Sequence, residues 1–489
     1  MKGRFTLLIP FVPAGHRAVE RIFGCNYGLY PMPNIFLLYA GSVLEATGFD
    51  VKLVDAPLDK WTESDFKHFL ETDNSIGYVV YSTLLARDMD IAAHSILRQI
   101  KPDVPIIYIG PAPTDDPAYY LPDENSFVIR GEPELSLPKL ATLISSGLKA
   151  DHRQMLNEIP SLSFKKGNDI QNNPFEGVIE NLDLMPHPAR YLVDPKKYFS
   201  PKFGVSPVTV MLTSRGCTAK CIYCVPCSLS FAREIEYKKN THKKPPVRMR
   251  STENVIEEIE LIAKEGYKAV SIIDDQFIWG DKRTIAIAEA FKKHALAWGC
   301  LARPDMITEN IAKALGESNC RFVDLGVESF DPKVLEYVGK DIAIDQIENA
   351  IRLLKKYRVF VKANILLGSS PLETKESIRH TIERAIELGV DSIMVGATNP
   401  FPGTEFYEMA KSNGWFIKGD YYPTDSQREW VMEYPNFSRE DMDEMLRWAN
   451  RRFFLRPTFF FKQIHRLKNP SDFARTVATF FRKLSWTWQ

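Results

Sequence analysis

Short runs rich in β-branched and apolar residues alternate with helical patterns in two separate blocks of this chain, and few folds accommodate such alternation. In residues 1–150 the runs are FTLLIPF (5–11), DVKLVDA (50–56), IGYVVYS (76–82), VPIIYIG (104–110) and SFVIRGE (126–132), with helical patterns near 35–47 and 91–100. Strand and helix in that order predict a parallel, doubly wound, Rossmann-like sheet. Ligands of such sheets sit beyond the carboxyl ends of the strands, here the Gly- and Pro-rich loops at 10–33, 82–89, 110–116 and 131–134. The alternation returns between 206 and 408, from VTVMLTS and VIEEIELIAKEG through AVSIIDD, ALAWGCLAR, RFVDLGVES and VFVKANILLG to DSIMVGATNP. About six βα units of this length predict an incomplete, TIM-like (β/α)6 barrel.

Between the blocks, residues 151–205 lose the periodicity and repeat prolines (NEIPSLSF, NLDLMPHPARYLVDPKKY), which reads as a linker. The stretch 409–489 is mostly helical in pattern. The expected division is therefore 1–150, 151–205, 206–408 and 409–489, because 489 residues are too many for one ordinary core. Lys plus Arg and Asp plus Glu both number 62, and 45% of residues are hydrophobic. That balance describes a folded chain with no electrostatic footprint for nucleic acid. No stretch reaches the ~20 apolar residues of a membrane span, and Pro10 breaks the apolar start without a signal-peptide cleavage pattern, so a cytoplasmic location is expected. The tail 446–489 sets ten Lys/Arg against the single acid Asp472, with eleven Phe/Trp. Such a mixture either seals the open side of the barrel with its cations in water or makes peripheral contact with a membrane surface.

Three of the seven cysteines crowd into SRGCTAKCIYC, where Cys217, Cys221 and Cys224 stand in C-x3-C-x2-C spacing directly after the first barrel run. This places three thiols at the carboxyl end of a barrel strand, where the catalytic groups of such barrels collect. The other four cysteines are scattered and form no disulfide framework. Thiolates select zinc or an iron-sulfur cluster. A structural zinc needs a fourth ligand, for which Cys227 is the neighbour, whereas a 4Fe-4S cluster on three cysteines leaves one iron open. Cys25, Cys300 and Cys320 read as small buried hydrophobes.

The cysteine loop, with the aromatic Tyr223 just before its third cysteine, resembles the signature of the radical S-adenosylmethionine (SAM) superfamily. IIDDQF (272–277), LARPD (301–305), LGVES (325–329), ILLGSSPLE (365–373) and NPFPGTEFYE (399–408) resemble that family's SAM-binding surface, in the same order along the second to sixth strands. The resemblance implies a 4Fe-4S cluster on Cys217, Cys221 and Cys224, with SAM chelated at the open iron. It places Asp274 and Asp275 against the SAM amino group or substrate. Arg303 and Glu328, with Ser329, would face the ribose or carboxylate; Gly368 would let the backbone approach adenine, and Tyr223 and Pro400 would complete the surface.

Residues 1–145 resemble the cobalamin-binding domain found ahead of many radical SAM barrels. Ser82, Thr83 and Leu84 match its S-x-L element, Gly110 and Pro111 stand where it often has Gly-Gly, and Gly131 and Glu132 lie on the same loop edge. The D-x-H-x-x-G fingerprint is absent, since His16 in PFVPAGHRAVER lacks its Asp partner. The resemblance thus implies base-off cobalamin with no histidine on cobalt. It further implies reductive cleavage of SAM to a 5'-deoxyadenosyl radical and, as the first expectation, methylation of an unactivated carbon. Oxidative cyclisation or ring rearrangement is the alternative within the family, and a non-catalytic iron-sulfur and corrinoid sensor or carrier is the alternative outside it. The implied partners are a small-molecule or lipid-like substrate and a reductant such as flavodoxin or ferredoxin.

Overall fold

The apolar runs of the first block become parallel strands because all but the edge run DVKLVDA are buried on both faces, as the inner strands of a doubly wound sheet require. The structure is a computed structural model and describes residues 2–19, 21, 31–148, 154–200, 202–225, 228–419, 429–457 and 459. It divides the chain into two units, Met1–Lys197 with Val225–Met249, and Tyr198–Cys224 with Arg250–Gln489.

In the first unit, strands β1 (Arg4–Ile9), β2 (Asp50–Asp55), β3 (Gly77–Tyr81), β4 (Ile106–Ile109) and β5 (Ser126–Ile129) pair in parallel in the order β2-β1-β3-β4-β5. The order reverses between β1 and β3, so the loops after these two strands flank the switch point where such sheets bind ligands. Helices α1 (Ile35–Ala46), α2 (Glu63–Thr72), α3 (Arg87–Ile100), α4 (Pro111–Asp115) and α5 (Ser136–Ser145) follow the strands. Two antiparallel strands, β6 (Leu162–Lys166) and β7 (Asp169–Asn172), then extend the sheet from β5. They lie in the segment expected to be a linker. Their turn is made by Gly167 at φ 63, a left-handed value that glycine adopts without strain. The helix Ser228–Thr241, which follows the cysteine loop in sequence, also belongs to this unit. There Glu236 accepts from Arg130 Nε of the β5 end at 3.0 Å, both side chains being buried.

The second unit contains six parallel strands in sequential order: Val208–Met211, Ala269–Ile272, Ala297–Ala302, Cys320–Glu328, Val361–Leu367 and Ser392–Ala397. Sequential parallel pairing with intervening helices and, among the described residues, no pairing between first and last strand is the expected open (β/α)6 barrel. Alternate residues Val323, Leu325 and Val327, then Val361, Ala363, Ile365 and Leu367, join the apolar layer beneath the helices. The opposite parity, including Asp324, Glu328 and Lys362, faces the barrel interior.

After the sixth strand, helices Glu405–Ser412 and Arg439–Phe454 bracket a short strap in which Phe416 bridges Met432 and Tyr434 bridges Phe437. The strap covers the ends of the fifth and sixth strands. Trp430 Nε1 donates to Thr398 O at 3.1 Å, and Tyr434 donates to Gly368 O at 2.9 Å. The basic, aromatic end of the tail, 460–489, lies outside the described residues, as do Cys25 and Cys227. No helix among the described residues is long and apolar enough to cross a membrane.

Candidate active site

The loop carrying the cysteines leaves the first barrel strand and is held there by the second. Asp274 is 1% exposed and accepts from Thr213 N and Ser214 Oγ, both at 2.7 Å, and from the Thr213 hydroxyl. Burial pushes its carboxyl up to about 6 against those donors. Asp275 accepts from Gly216 N at 2.9 Å, and Gln276 Oε1 accepts from Cys217 Sγ and Thr218 Oγ1, each at 3.3 Å. The acid pair expected to meet SAM or substrate is therefore engaged with the chain just ahead of Cys217. Gln276 takes part in the same brace and was missed, since nothing in its sequence position distinguishes a loop amide from a sulfur partner.

Cys217, Cys221 and Cys224 are partly exposed and in no disulfide. Among the described residues no group of three His, Cys, Asp or Glu side chains is gathered closely enough to hold a metal ion; the three thiols share one loop. Tyr223 is hydrogen-bonded to Cys221, and burial, followed by the charges of Glu328, Cys221 and Cys224, pushes its phenol well up. Cys300 and Cys320 are buried on adjacent strands. Burial raises both thiols, Cys320 to about 12, so both behave as apolar packing groups.

Two cations stand over this loop. Arg303 is held by Asp305 at 3.1 and 3.0 Å and by Lys340 O at 3.3 Å. Its Nη1 is shielded from solvent and has no hydrogen-bond partner. Burial works against its charge, but Asp305 and, more weakly, the Cys221 and Cys217 sulfurs keep the guanidinium pKa above its ordinary value. Lys340 is buried and donates to Glu328 Oε1 at 2.8 Å. Burial opposes its charge too, and Glu328 and Cys221 more than offset that. Sequence reasoning missed Lys340, whose only local signal is the Gly-Lys step after helix Pro332–Tyr337.

Glu328 holds the ion pair from a left-handed backbone, φ 63, beside a register shift in the fourth strand. Such conformations cost about 1–3 kcal/mol and persist where the surroundings impose them. A side chain at Gly326 would meet Glu328 Oε1 and Lys340 Nζ at 3.0 Å each, so glycine keeps the pair's space open. Ser329, expected beside Glu328 on the ligand face, turns toward helix Lys375–Glu387 instead. Its hydroxyl lies 3.2 Å from Thr381 Oγ1 and accepts from Asp331 N at 3.0 Å. Gly368, expected to make room for adenine, has φ 72, and the position of its missing side chain is filled by Met442 and Trp430. Its N–H donates to Glu373, whose carboxyl burial raises to about 8. Pro400 is buried at the end of the sixth strand, next to Asn399, which accepts from Val431 N at 3.1 Å.

In the first unit, Ser82 is fully buried and its hydroxyl lies 2.8 Å from that of Tyr120. Thr83 Oγ1, on the switch-point loop, is shielded from solvent without a partner. Leu84 is buried beside it. A side chain at Gly110, φ 110, would lie 2.4 Å from Ser82 O, which explains glycine there. Pro111 opens α4, whose Thr114 Oγ1 accepts from Gly131 N at 3.0 Å. Glu132, expected near a ligand, instead pairs with Arg248 and accepts from Ile179 N at 2.9 Å. His16 is exposed, its ring nitrogen 3.4 Å from Ala14 O. Arg21, on the loop after β1, forms a buried bidentate pair with Asp90 at 2.8 and 2.6 Å, which sequence reasoning also missed.

A match to the radical SAM superfamily spans residues 211–370. An uncharacterized methyltransferase of Pyrococcus horikoshii, PH0819, is 30% identical over 472 residues, covering 95% of each chain. Two solved structures share the fold. One is the cobalamin-dependent S-adenosylmethionine radical enzyme OxsB with aqua-cobalamin and S-adenosylmethionine bound (TM-score 0.70, 15% identity, 99% of this chain and 71% of that one). The other is the radical S-adenosylmethionine methyltransferase TsrM of Kitasatospora setae with tryptophan and a SAM analogue (TM-score 0.64, 17% identity, 86% and 79%). With its cysteine loop at the end of the first strand of a (β/α)6 barrel and full-length kinship to PH0819, the chain belongs to the radical SAM superfamily.

Proposed function

We propose that the protein is a cobalamin-dependent radical SAM methyltransferase that methylates an unactivated carbon of a small-molecule substrate. The observation that carries this reading is the three-cysteine loop braced by Asp274, Asp275 and Gln276 under the cations of Arg303 and Lys340. Kinship to a named methyltransferase supports the group that is transferred.

The donor sets fit both cofactors in chemistry. Three thiols on one loop, none in a disulfide, suit a 4Fe-4S cluster with one open iron, and the unpartnered Arg303 Nη1 suits an anionic group of SAM. The unpartnered Thr83 hydroxyl at the switch point, beside the Gly110 floor, suits the polar tail of a corrinoid. When bound, the cluster supplies one electron for cleavage of SAM and the corrinoid carries the methyl group. Cys217, Cys221 and Cys224 would bind as thiolates, whose charge Arg303 and Lys340 balance. The partly buried ring of Tyr223 and the strap around the buried Trp430 would help keep water from the barrel mouth. Flavodoxin or ferredoxin is the class of electron donor this chemistry needs.

The test takes protein reconstituted anaerobically with iron, sulfide and hydroxocobalamin, supplies a strong chemical reductant and SAM bearing a deuterated methyl group, and reads the bound corrinoid by mass spectrometry. Labelled methylcobalamin with S-adenosylhomocysteine is expected. Cleavage of SAM to 5'-deoxyadenosine without labelled corrinoid contradicts methyl transfer and favours cyclisation or rearrangement, and no SAM consumption favours a carrier.

A further inference from the structure

Gln276 is 2% exposed, and its Oε1 reaches the first cysteine of the proposed ligand set, accepting from Cys217 Sγ and from Thr218 Oγ1 at 3.3 Å. Its Nε2 makes a long bond, 3.4 Å, to Ile278 O. Its own carbonyl accepts from Ser214 Oγ at 3.0 Å, which fixes the backbone from which the side chain reaches. The Ala219 N–H, 3.4 Å from Cys217 Sγ, already points a donor at the same sulfur.

A thiol can donate to Gln276 Oε1, but a thiolate bound to iron has no proton to give and carries negative charge. Oxygen against sulfur at this distance then repels, beside a Gln276 side chain that is itself buried. Turning the amide about its last side-chain bond exchanges oxygen for NH2 and releases the long bond to Ile278. An N–H then faces the sulfur, and the Thr218 hydroxyl becomes an acceptor. Hydrogen bonds to cluster sulfurs favour the more negative, reduced state and so raise the reduction potential.

We propose that Gln276 is a positioning residue whose amide donates an N–H···S hydrogen bond to the Cys217 thiolate in the loaded protein and thereby raises the reduction potential of the cluster. This rests on the reading that Cys217 ligates a 4Fe-4S cluster.

The experiment loads the full chain anaerobically with iron and sulfide and compares wild type with Gln276→Leu, Gln276→Glu and Gln276→Asn. The readout is potentiometric titration followed by electron paramagnetic resonance of the reduced cluster. At a fixed potential the reduced-to-oxidised ratio should fall about tenfold in Gln276→Leu, ~59 mV for a one-electron couple. It should fall further in Gln276→Glu, which sets a carboxylate against the thiolate, and lie between wild type and Leu in Gln276→Asn, which keeps a shortened amide. Equal potentials in all loaded variants, whatever their cluster content, overturn the proposal and leave Gln276 a loop-shaping residue. Should the Leu and Glu variants fail to load, a wild-type potential in Gln276→Asn overturns it as well. A wild-type protein that loads no cluster is a distinct failure, that of the functional reading itself.

Discussion

Glu373 shows how far a single carboxyl departs from what its letter suggests. It sits fully inside the loop after the fifth strand, accepts from Gly368 N, and is raised to about 8, first by burial and then by the charge of Asp331. A folded-state pKa above the unfolded value of 4.5 means that the native state binds the proton more tightly. The resulting stability is present below about pH 4.5 and is lost as pH rises through about 8. The difference in unfolding free energy between Glu373→Gln and wild type should therefore shift in favour of the variant between pH 5 and 9. Urea unfolding across that range checks it, and parallel pH profiles would contradict the assignment. The same gap between residue type and environment separates Asp274 from its expected role. A strand-end Asp can face a ligand or brace its neighbour strand, and only the partners Thr213 and Ser214 decide.

At the scale of elements, the inner strands of the first sheet were legible because burial on both faces makes them nearly continuous apolar runs, the barrel strands because one parity stays apolar, and the cysteine spacing because a ligand set must be local. The β6–β7 hairpin was not. Its strands are short, only Leu162 to Phe164 are fully buried, and the flanking prolines mask the Lys166-Gly167-Asn168 turn. Lys340 was equally hidden, since its partner Glu328 lies across a helix in sequence. The brace between the first two barrel strands carries a prediction of its own. Asp274→Ala leaves the Thr213 N–H and hydroxyl buried without their acceptor, at a cost of about 1–3 kcal/mol per buried group, while Ser214 Oγ keeps the Gln276 carbonyl. The variant should unfold at a lower urea midpoint and load less iron than wild type. Unchanged stability and iron content would show that the Cys217 loop does not depend on this brace.

Across the whole molecule, the chain leaves the barrel unit directly after Cys224, contributes Val225–Met249 to the first unit, and resumes the barrel at Arg250. The residues proposed to hold the cluster thus end where a segment of the other unit begins. No periodicity announces this, because helix Ser228–Thr241 resembles any barrel helix until its partner Arg130 is known. The proposed methyltransferase would use SAM in two ways, as radical source and as methyl donor. The measurement that bears most directly on this is anaerobic reconstitution with iron, sulfide and hydroxocobalamin, followed by reduction and mass spectrometry of the SAM products from wild type and Cys217→Ala. The account predicts 5'-deoxyadenosine together with S-adenosylhomocysteine from wild type, and no 5'-deoxyadenosine from the variant. Neither product from a wild-type protein that holds both cofactors, or undiminished 5'-deoxyadenosine from Cys217→Ala, would contradict it.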